Sequence, residues 1–467
     1  MPPAASDPYP ALVVTNGLFL PMDGTAPFRG WMAVGADGRI SARGSGRPPA
    51  GLLGRRQLDV GGCFVAPGFV SAHSHLYSSG IRGLAADESL PGWLATTGTV
   101  IAGMGPEDVY WMTRHGARDC LVNGVTTVYD FCHNGLSFGS GPDGTTAIAA
   151  QVPSVDRQHA QLRAKIDSGL RHLHSVMLAQ DGDAEHLRAH LEETLARAAD
   201  ATSDPLHLGL ALTGTVPWAA DRWTARAEAA VMRRLGLVNQ PHLLESARDA
   251  MRQRNRFTWY QEAGALGPRL VFGHFIHTDD HIVSAVAAAG GAMTWQPASN
   301  GRLGSGIADI PRYRAAGIRV GLGLDGASSG DLSDPWANMR AGLYVQRAVN
   351  ADPSCLGVAE VLDLHTRAAA DVIGAGADVG SLAPGRYADF LVVDPTSPDT
   401  GPTWDPYGTY VLACGPQNIV SVYVGGTPVA DRHGLVDRAE QARVNTYLHE
   451  CLEPFQGSPE PAGCNDE

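Results

Sequence analysis

The sequence predicts an α/β protein: a (β/α)8 TIM-like barrel joined to a small β-sandwich module formed from both chain termini. Three observations lead there. Apolar strand-like runs alternate with helical stretches through the centre, about eight strand–helix units over roughly 300 residues, which suits such a barrel with insertions. Several of those strands end in His, Asp or Glu, where a barrel gathers its chemistry. Both ends of the chain share another texture, short β segments broken by Gly and Asp.

In chain order, residues 1–65 read as the first part of the sandwich module, with strands at 12–17 and 31–34 and a hairpin turn at 36–39. Residues 66–375 read as the barrel. Its candidate strands end near His75, Phe131, Leu178, Thr213, His242, His274, Gln296 and Asp325, with helices at 184–199 and 224–235 among the connections. Residues 376–440 return to the module through strands at 390–393 and 419–424 and a Gly425-Gly426 turn, and 441–467 give a short helix and a polar tail. A doubly wound open sheet is the competing arrangement, but no GxGxxG or GxxxxGK[ST] loop opens any of these helices.

Composition narrows the function. With 44% hydrophobic and 18% charged residues, the 467-residue chain is an ordinary globular one. A formal charge of -13 argues against nucleic acid and anionic membranes as partners. No run approaches 18 uninterrupted apolar residues, so no membrane span is expected. The seven cysteines form no CxxC pair, and the first residues lack the basic and apolar regions of a signal peptide, so a cytoplasmic location is expected.

The chemistry starts at Val70-Ser71-Ala72-His73-Ser74-His75, which follows a buried apolar run. Alternate strand residues face the same way, so His73 and His75 project together from the strand's end and can grip one metal ion. His242 ends a fifth strand, with Glu245 three residues on; His274 ends a sixth and Asp325 an eighth. A lone histidine at a strand end is more often structural, but four such ends together point to a metal site.

These residues carry a resemblance. The chain resembles the amidohydrolase superfamily, in its zinc-dependent aminohydrolase and chlorohydrolase branch, which includes S-adenosylhomocysteine, 5'-deoxyadenosine and guanine deaminases and triazine hydrolases. The matching segments are Pro67-Gly68-Phe69-Val70-Ser71-Ala72-His73-Ser74-His75, Arg82-Gly83-Leu84 with Trp93-Leu94, His242-Leu243-Leu244-Glu245, Gly273-His274, the loop from Ser299-Asn300 to Gly306, Gly323-Leu324-Asp325-Gly326 and the stretch from Gly380 to Asp389. The resemblance implies one metal ion, zinc with iron as the alternative, held by His73, His75, His242 and Asp325. Glu245, His274 and Asp325 would be catalytic. Zinc lowers the pKa of a bound water from 15.7 to about 7, so hydroxide becomes available for attack. Asp325 would take the water's proton, His274 would hold the hydroxide, and Glu245 would protonate a ring nitrogen and relay a proton to the leaving group.

Binuclear members use a carboxylated lysine on the fourth strand. The only lysine here, Lys165, lies in a helical stretch before the third strand, so a single metal is expected. The implied substrate is a small amino-substituted nitrogen heterocycle (purine, pterin, pyrimidine, triazine or nucleoside) that loses ammonia. Tyr77, Trp93, His133 and Thr215 are the candidate substrate contacts. Thr215 stands where the adenosine-type deaminases carry a histidine, which counts against an S-adenosylhomocysteine-like ligand. Hydrolysis of another C–N or C–Cl bond is the alternative, and a non-catalytic homologue the remote one. Homo-oligomers are common in the branch. Among the smaller signals, His277 reads as a loop residue, His172 and His174 as solvent-facing, Asp389 as a cap into the returning module, and Ser299-Asn300 as shaping a loop.

Overall fold

The computed structural model of the chain describes residues 11–52, 56–133, 135–140, 145–151, 155–178 and 182–455. The polar tail beyond 455 and the extreme N-terminus read for a signal peptide lie outside them. Eight parallel strands form the central sheet: β1 (Phe69–His75), β2 (Val125–Asp130), β3 (Arg171–Val176), β4 (His207–Gly214), β5 (Asn239–Leu243), β6 (Val271–His274), β7 (Ala292–Trp295) and β8 (Arg319–Leu322). Each pairs with the next in order. The ring closes through a short ninth segment. Two residues past β8, Asp325–Gly326 pairs in parallel with Ser74 and His75 of β1. This is the arrangement of a TIM-like barrel, and the strand ends fall where the sequence suggested, except that β8 breaks at Gly323-Leu324 before Asp325 resumes the ladder.

Strands β1, β2 and β3 are buried along their whole length, as parallel strands covered by helices on the outside must be. Val70 and Ala72 of β1, Tyr129 of β2, Leu173 of β3 and Ala211 of β4 share one apolar cluster with the helix Arg367–Val372. The β1–β2 register slips between Ser71 and Ser74. A bulge of this kind re-aims side chains. Past it, His73 and His75 leave the apolar cluster and enter the polar one at the strand's end.

The terminal segments build one nine-stranded sheet. Strands Leu12–Phe19, Phe28–Val34, Ile40–Ser45, Gln57–Asp59 and Phe64–Pro67 come from the N-terminal side; Phe390–Val393, Ile419–Val424, Thr427–Asp431 and Gly434–Leu435 come from the C-terminal side. The two sides meet where Phe64–Pro67 runs antiparallel to Phe390–Val393. The coarse expectation, a β module drawn from both termini, is therefore met. Asp389 does more than cap it. Its carboxylate accepts from Arg171 of β3 at 2.7 and 2.9 Å and from Gly425 N–H at 2.8 Å, tying the module to the barrel wall. At the chain's far end, Glu440 pairs with Arg114 and Arg118 and seats the helix Arg438–Leu452 on the helix Pro106–Val122. Among the described residues, no helix is long and apolar enough to cross a membrane.

His172 and His174 are not solvent-facing. Both are buried. Their side chains lie under the helix Val155–Ser168, His174 Nδ1 accepting from Lys165 Nζ at 2.7 Å and His172 Nε2 lying 3.2 Å from His207 Nδ1. A strand carrying charge-capable residues on its outer side reads as solvated until the covering helix is known.

Candidate metal centre

His73 and His75 at the end of β1, His242 near the end of β5 and Asp325 beyond β8 converge at one end of the barrel. The Nε2 atoms of the three histidines lie 3.0–3.3 Å from one another. Asp325 Oδ1 is 3.2 Å from His75 Nε2 and 3.6 Å from His73 Nε2. All four residues are buried.

The outer ring nitrogens explain why these inner ones face each other. His75 Nδ1 donates to the Phe131 carbonyl at 3.0 Å, and His73 Nδ1 donates to Gln240 Oε1. Gln240 is held in turn by donating to the Ala72 carbonyl at 2.9 Å. His73 and His75 thus keep their hydrogens on Nδ1 and turn Nε2 inward. Burial, with the neighbouring His75, pushes the His73 pKa down to about 3, and burial with His73 pushes that of His242 well below its ordinary value. Neutral lone pairs this close repel unless a cation lies among them. Three nitrogens and one carboxylate oxygen suit a divalent ion such as zinc and leave a position open. Burial opposes the charge on Asp325, but its bond to His75 and the proximity of His274 and His73 hold its carboxyl well below the usual range.

The backbone is shaped for this convergence. His274 and Asp325 both adopt left-handed φ values, 63° and 67°. Such conformations cost a non-glycine residue of order 1–3 kcal/mol and persist where the surroundings enforce them. Gly323 admits the approach of β1: a Cβ there would lie 2.7 Å from His73 Cβ and 2.9 Å from its backbone nitrogen.

Glu245 and His274 stand beside the cluster. Glu245 Oε2 lies 3.5 Å and Asp325 Oδ2 3.7 Å from His274 Nε2. His274 Nδ1 donates to Asn300 Oδ1 at 2.8 Å; Ser299-Asn300, expected to shape a loop, lie instead in the short helix Pro297–Arg302, which bears directly on this ring. Burial raises the Glu245 carboxyl to about 7; His274 opposes the rise and the Asp325 charge adds to it. A carboxyl poised there can both give and take a proton near neutrality.

These groups border a small cavity. Trp93 and His133 border it too. Trp93 is an anchor as well, donating its indole N–H to the Ser328 carbonyl at 2.7 Å. Tyr77 and Thr215 do not border it. The Tyr77 hydroxyl lies 2.9 Å from His133 Nε2, behind that ring, and Thr215 donates its N–H and hydroxyl to the buried Glu228 carboxylate at 2.7 and 3.1 Å. Sequence reasoning missed Phe138, Trp218 and Asp249, which also border the cavity. Trp218 lay within the segment after the fourth strand, where its position past Pro217 was the available signal.

A second buried group, Asp130, Cys132 and His174, also has metal-ligand chemistry. Lys165 Nζ donates to Asp130 Oδ2 and His174 Nδ1, both at 2.7 Å. The ammonium group already supplies the positive charge that this group needs.

The Amidohydrolase family profile matches residues 64–429 of the chain. The chain is 28% identical over 441 residues to a 5-methylthioadenosine/S-adenosylhomocysteine deaminase of Syntrophobacter fumaroxidans, covering 91% of this chain and 94% of that protein. It is 30% identical over 407 residues to an 8-oxoguanine deaminase of Pseudomonas aeruginosa, covering 84% and 87%. Its fold is similar to that of a zinc-bound adenosine deaminase from Xanthomonas campestris, with a TM-score of 0.82 at 21% identity, covering 97% of this chain and all of that one.

Proposed function

The chain belongs to the amidohydrolase family, and from that premise we propose that it is a metal-dependent hydrolase that removes ammonia from an amino-substituted nitrogen heterocycle. One observation carries this reading: the Nε2 atoms of His73, His75 and His242 converge with Asp325 beside a carboxyl poised near neutrality, Glu245. The relatives named above, deaminases of adenosine-type substrates and of 8-oxoguanine, support it.

His73, His75, His242 and Asp325 would hold one ion, zinc with iron as the alternative. Bound there, it supplies Lewis acidity to a water molecule. The protein's own groups do the rest. Asp325, whose Oδ2 is turned towards His274, takes the proton that the attacking water loses. His274 Nε2 keeps that oxygen in line with the ring carbon. Glu245, protonated at first, delivers its proton to the adjacent ring nitrogen; it then takes the proton of the added hydroxyl as the ring carbon becomes a carbonyl and passes it to the amino group, which leaves as ammonia, and the proton held by Asp325 returns to Glu245. Trp93 and His133 would contact the heterocycle directly, Tyr77 would act through His133, and Thr215 would act through Glu228. We read residues 66–375 as the hydrolase barrel, with 1–65 and 376–440 forming a sandwich around the core that Phe19, Val65 and Phe390 share, and 441–467 as an appended helix and tail.

A panel of amino-purines, pterins, pyrimidines and triazines given to the zinc-loaded protein tests this. Ammonia should appear from at least one class. Release of chloride or ring opening without ammonia would move the reaction to another bond, and no turnover of any class would overturn the reading.

A further inference from the structure

We propose that this site takes a free heterocyclic base and discriminates against the corresponding nucleoside; this deepens, and rests on, the deaminase reading above. The space beside the metal cluster is small and walled on one side by aromatic rings. Phe138 packs edge-on against Trp218 with ring centroids 5.0 Å apart, and Trp218 lies 5.5 Å from the His242 ring. Such a wall suits a planar π system.

The outer part of this space is apolar. Leu90, Leu94, Phe138 and Leu303 border it. A ribose placed there would exchange water for hydrocarbon around its hydroxyls, and a buried hydroxyl without a partner is costly. The polar groups nearby are already engaged with one another. Asp249 accepts the N–H of Thr146 at 2.8 Å and its hydroxyl at 2.9 Å, Gln253 Oε1 accepts the Leu244 N–H, and Ser329 Oγ lies within bonding distance of both Gly326 backbone groups. Asp249, Gln253 Oε1 and Ser329 are thereby committed to partners within the protein. A base needs only what the inner end offers: the metal cluster, and Glu245 for the ring nitrogen.

The same Asp249–Thr146 pair fixes how near Phe138 stays. Thr146 opens the strand Thr146–Gln151, which pairs with Leu136–Ser140, and Phe138 is registered against Ile148 within that hairpin. A carboxylate on the loop after β5 thereby latches the hairpin after β2 across the cavity. We assign Asp249 as a positioning residue that holds this aromatic wall in place.

The test is calorimetric binding of matched pairs (adenine and adenosine, guanine and guanosine, cytosine and cytidine) to zinc-loaded Glu245→Gln protein, whose slowed turnover leaves them largely intact during the titration. At least one base should bind about tenfold or more tightly than its nucleoside. Equal or tighter nucleoside binding, or no binding by any base, would overturn the proposal. In Asp249→Ala, judged folded by circular dichroism and bound zinc, the discrimination should shrink several-fold; unchanged discrimination would remove Asp249 from the argument. Ammonia release by the unaltered enzyme is scored separately, so base binding without turnover would strike the deaminase reading and leave the preference standing.

Discussion

Gln240 and His73 are bonded side chain to side chain across 167 residues of sequence, the amide oxygen of one fixing the ring hydrogen of the other. Gln240 touches no other member of the metal cluster. Its amide nitrogen is spent on the Ala72 carbonyl, so the whole group is oriented by the strand that carries His73.

Gln240→Leu should therefore weaken metal binding while leaving the fold intact. Partners that orient a ligand's outer nitrogen are worth roughly 10–100-fold in metal affinity. Competition with a fluorescent chelator would read the loss, and Gln240→Glu, which restores an acceptor, should recover most of it. An unchanged affinity in the leucine variant would mean that His73 needs no such support.

Metal removal should abolish hydrolysis, and one equivalent of zinc per chain should restore it. His242→Ala and Asp325→Ala should each lose the ion on dialysis. Elemental analysis giving two tightly held equivalents in the unaltered protein would contradict a single-ion centre, since the only lysine is committed to Asp130 and His174.

Glu245 ties activity and stability to pH. Turnover that needs its protonated form should fall as pH rises through about 7, and Glu245→Gln should lower kcat by about 10²–10⁴ and flatten that limb. In the metal-free protein the carboxyl is raised from 4.5 to about 7, so the folded state keeps a proton that the unfolded chain gives up first. Its contribution is fully present below pH 4.5 and is lost as pH climbs to 7, about 3 kcal/mol in all. Urea unfolding of the metal-free forms at pH 5 and pH 8 should show Glu245→Gln gaining on the unaltered protein at the higher pH.

Lys165→Ala should be strongly destabilising, by about 3–5 kcal/mol, because it leaves Asp130 charged and unpaired in a sealed interior. The double change Lys165→Met with Asp130→Leu should recover part of that loss in denaturant titrations. A single variant as stable as the parent would show that Asp130 is satisfied without the ammonium group.

The barrel and the His–Asp cluster at its end were legible in the sequence because each of the four residues lies at or just past the end of an apolar strand, a position that local pattern reveals. His73, His75, His242 and Asp325 needed only that pattern and the family likeness. Gln240, Asn300 and Asp249 were not legible, since each acts through a partner on another strand or loop and looks like any buried polar residue along the chain. Tyr77 and Thr215 show the reverse. Position put them beside the site, but His133 and Glu228 claim their hydroxyls. His172 and His174 misled for want of the helix that covers them.

The seam where the ring of strands closes has one further consequence. Its two edges are Ser74-His75 and Asp325-Gly326, joined by a single short ladder, and both carry residues that could hold the same ion. An ion seated there is a rivet through the joint: it fastens the first stave to the last at the place where the hoop is thinnest. Apoprotein should breathe first along that line, with amide exchange fastest beside it and slowest on the far side of the ring.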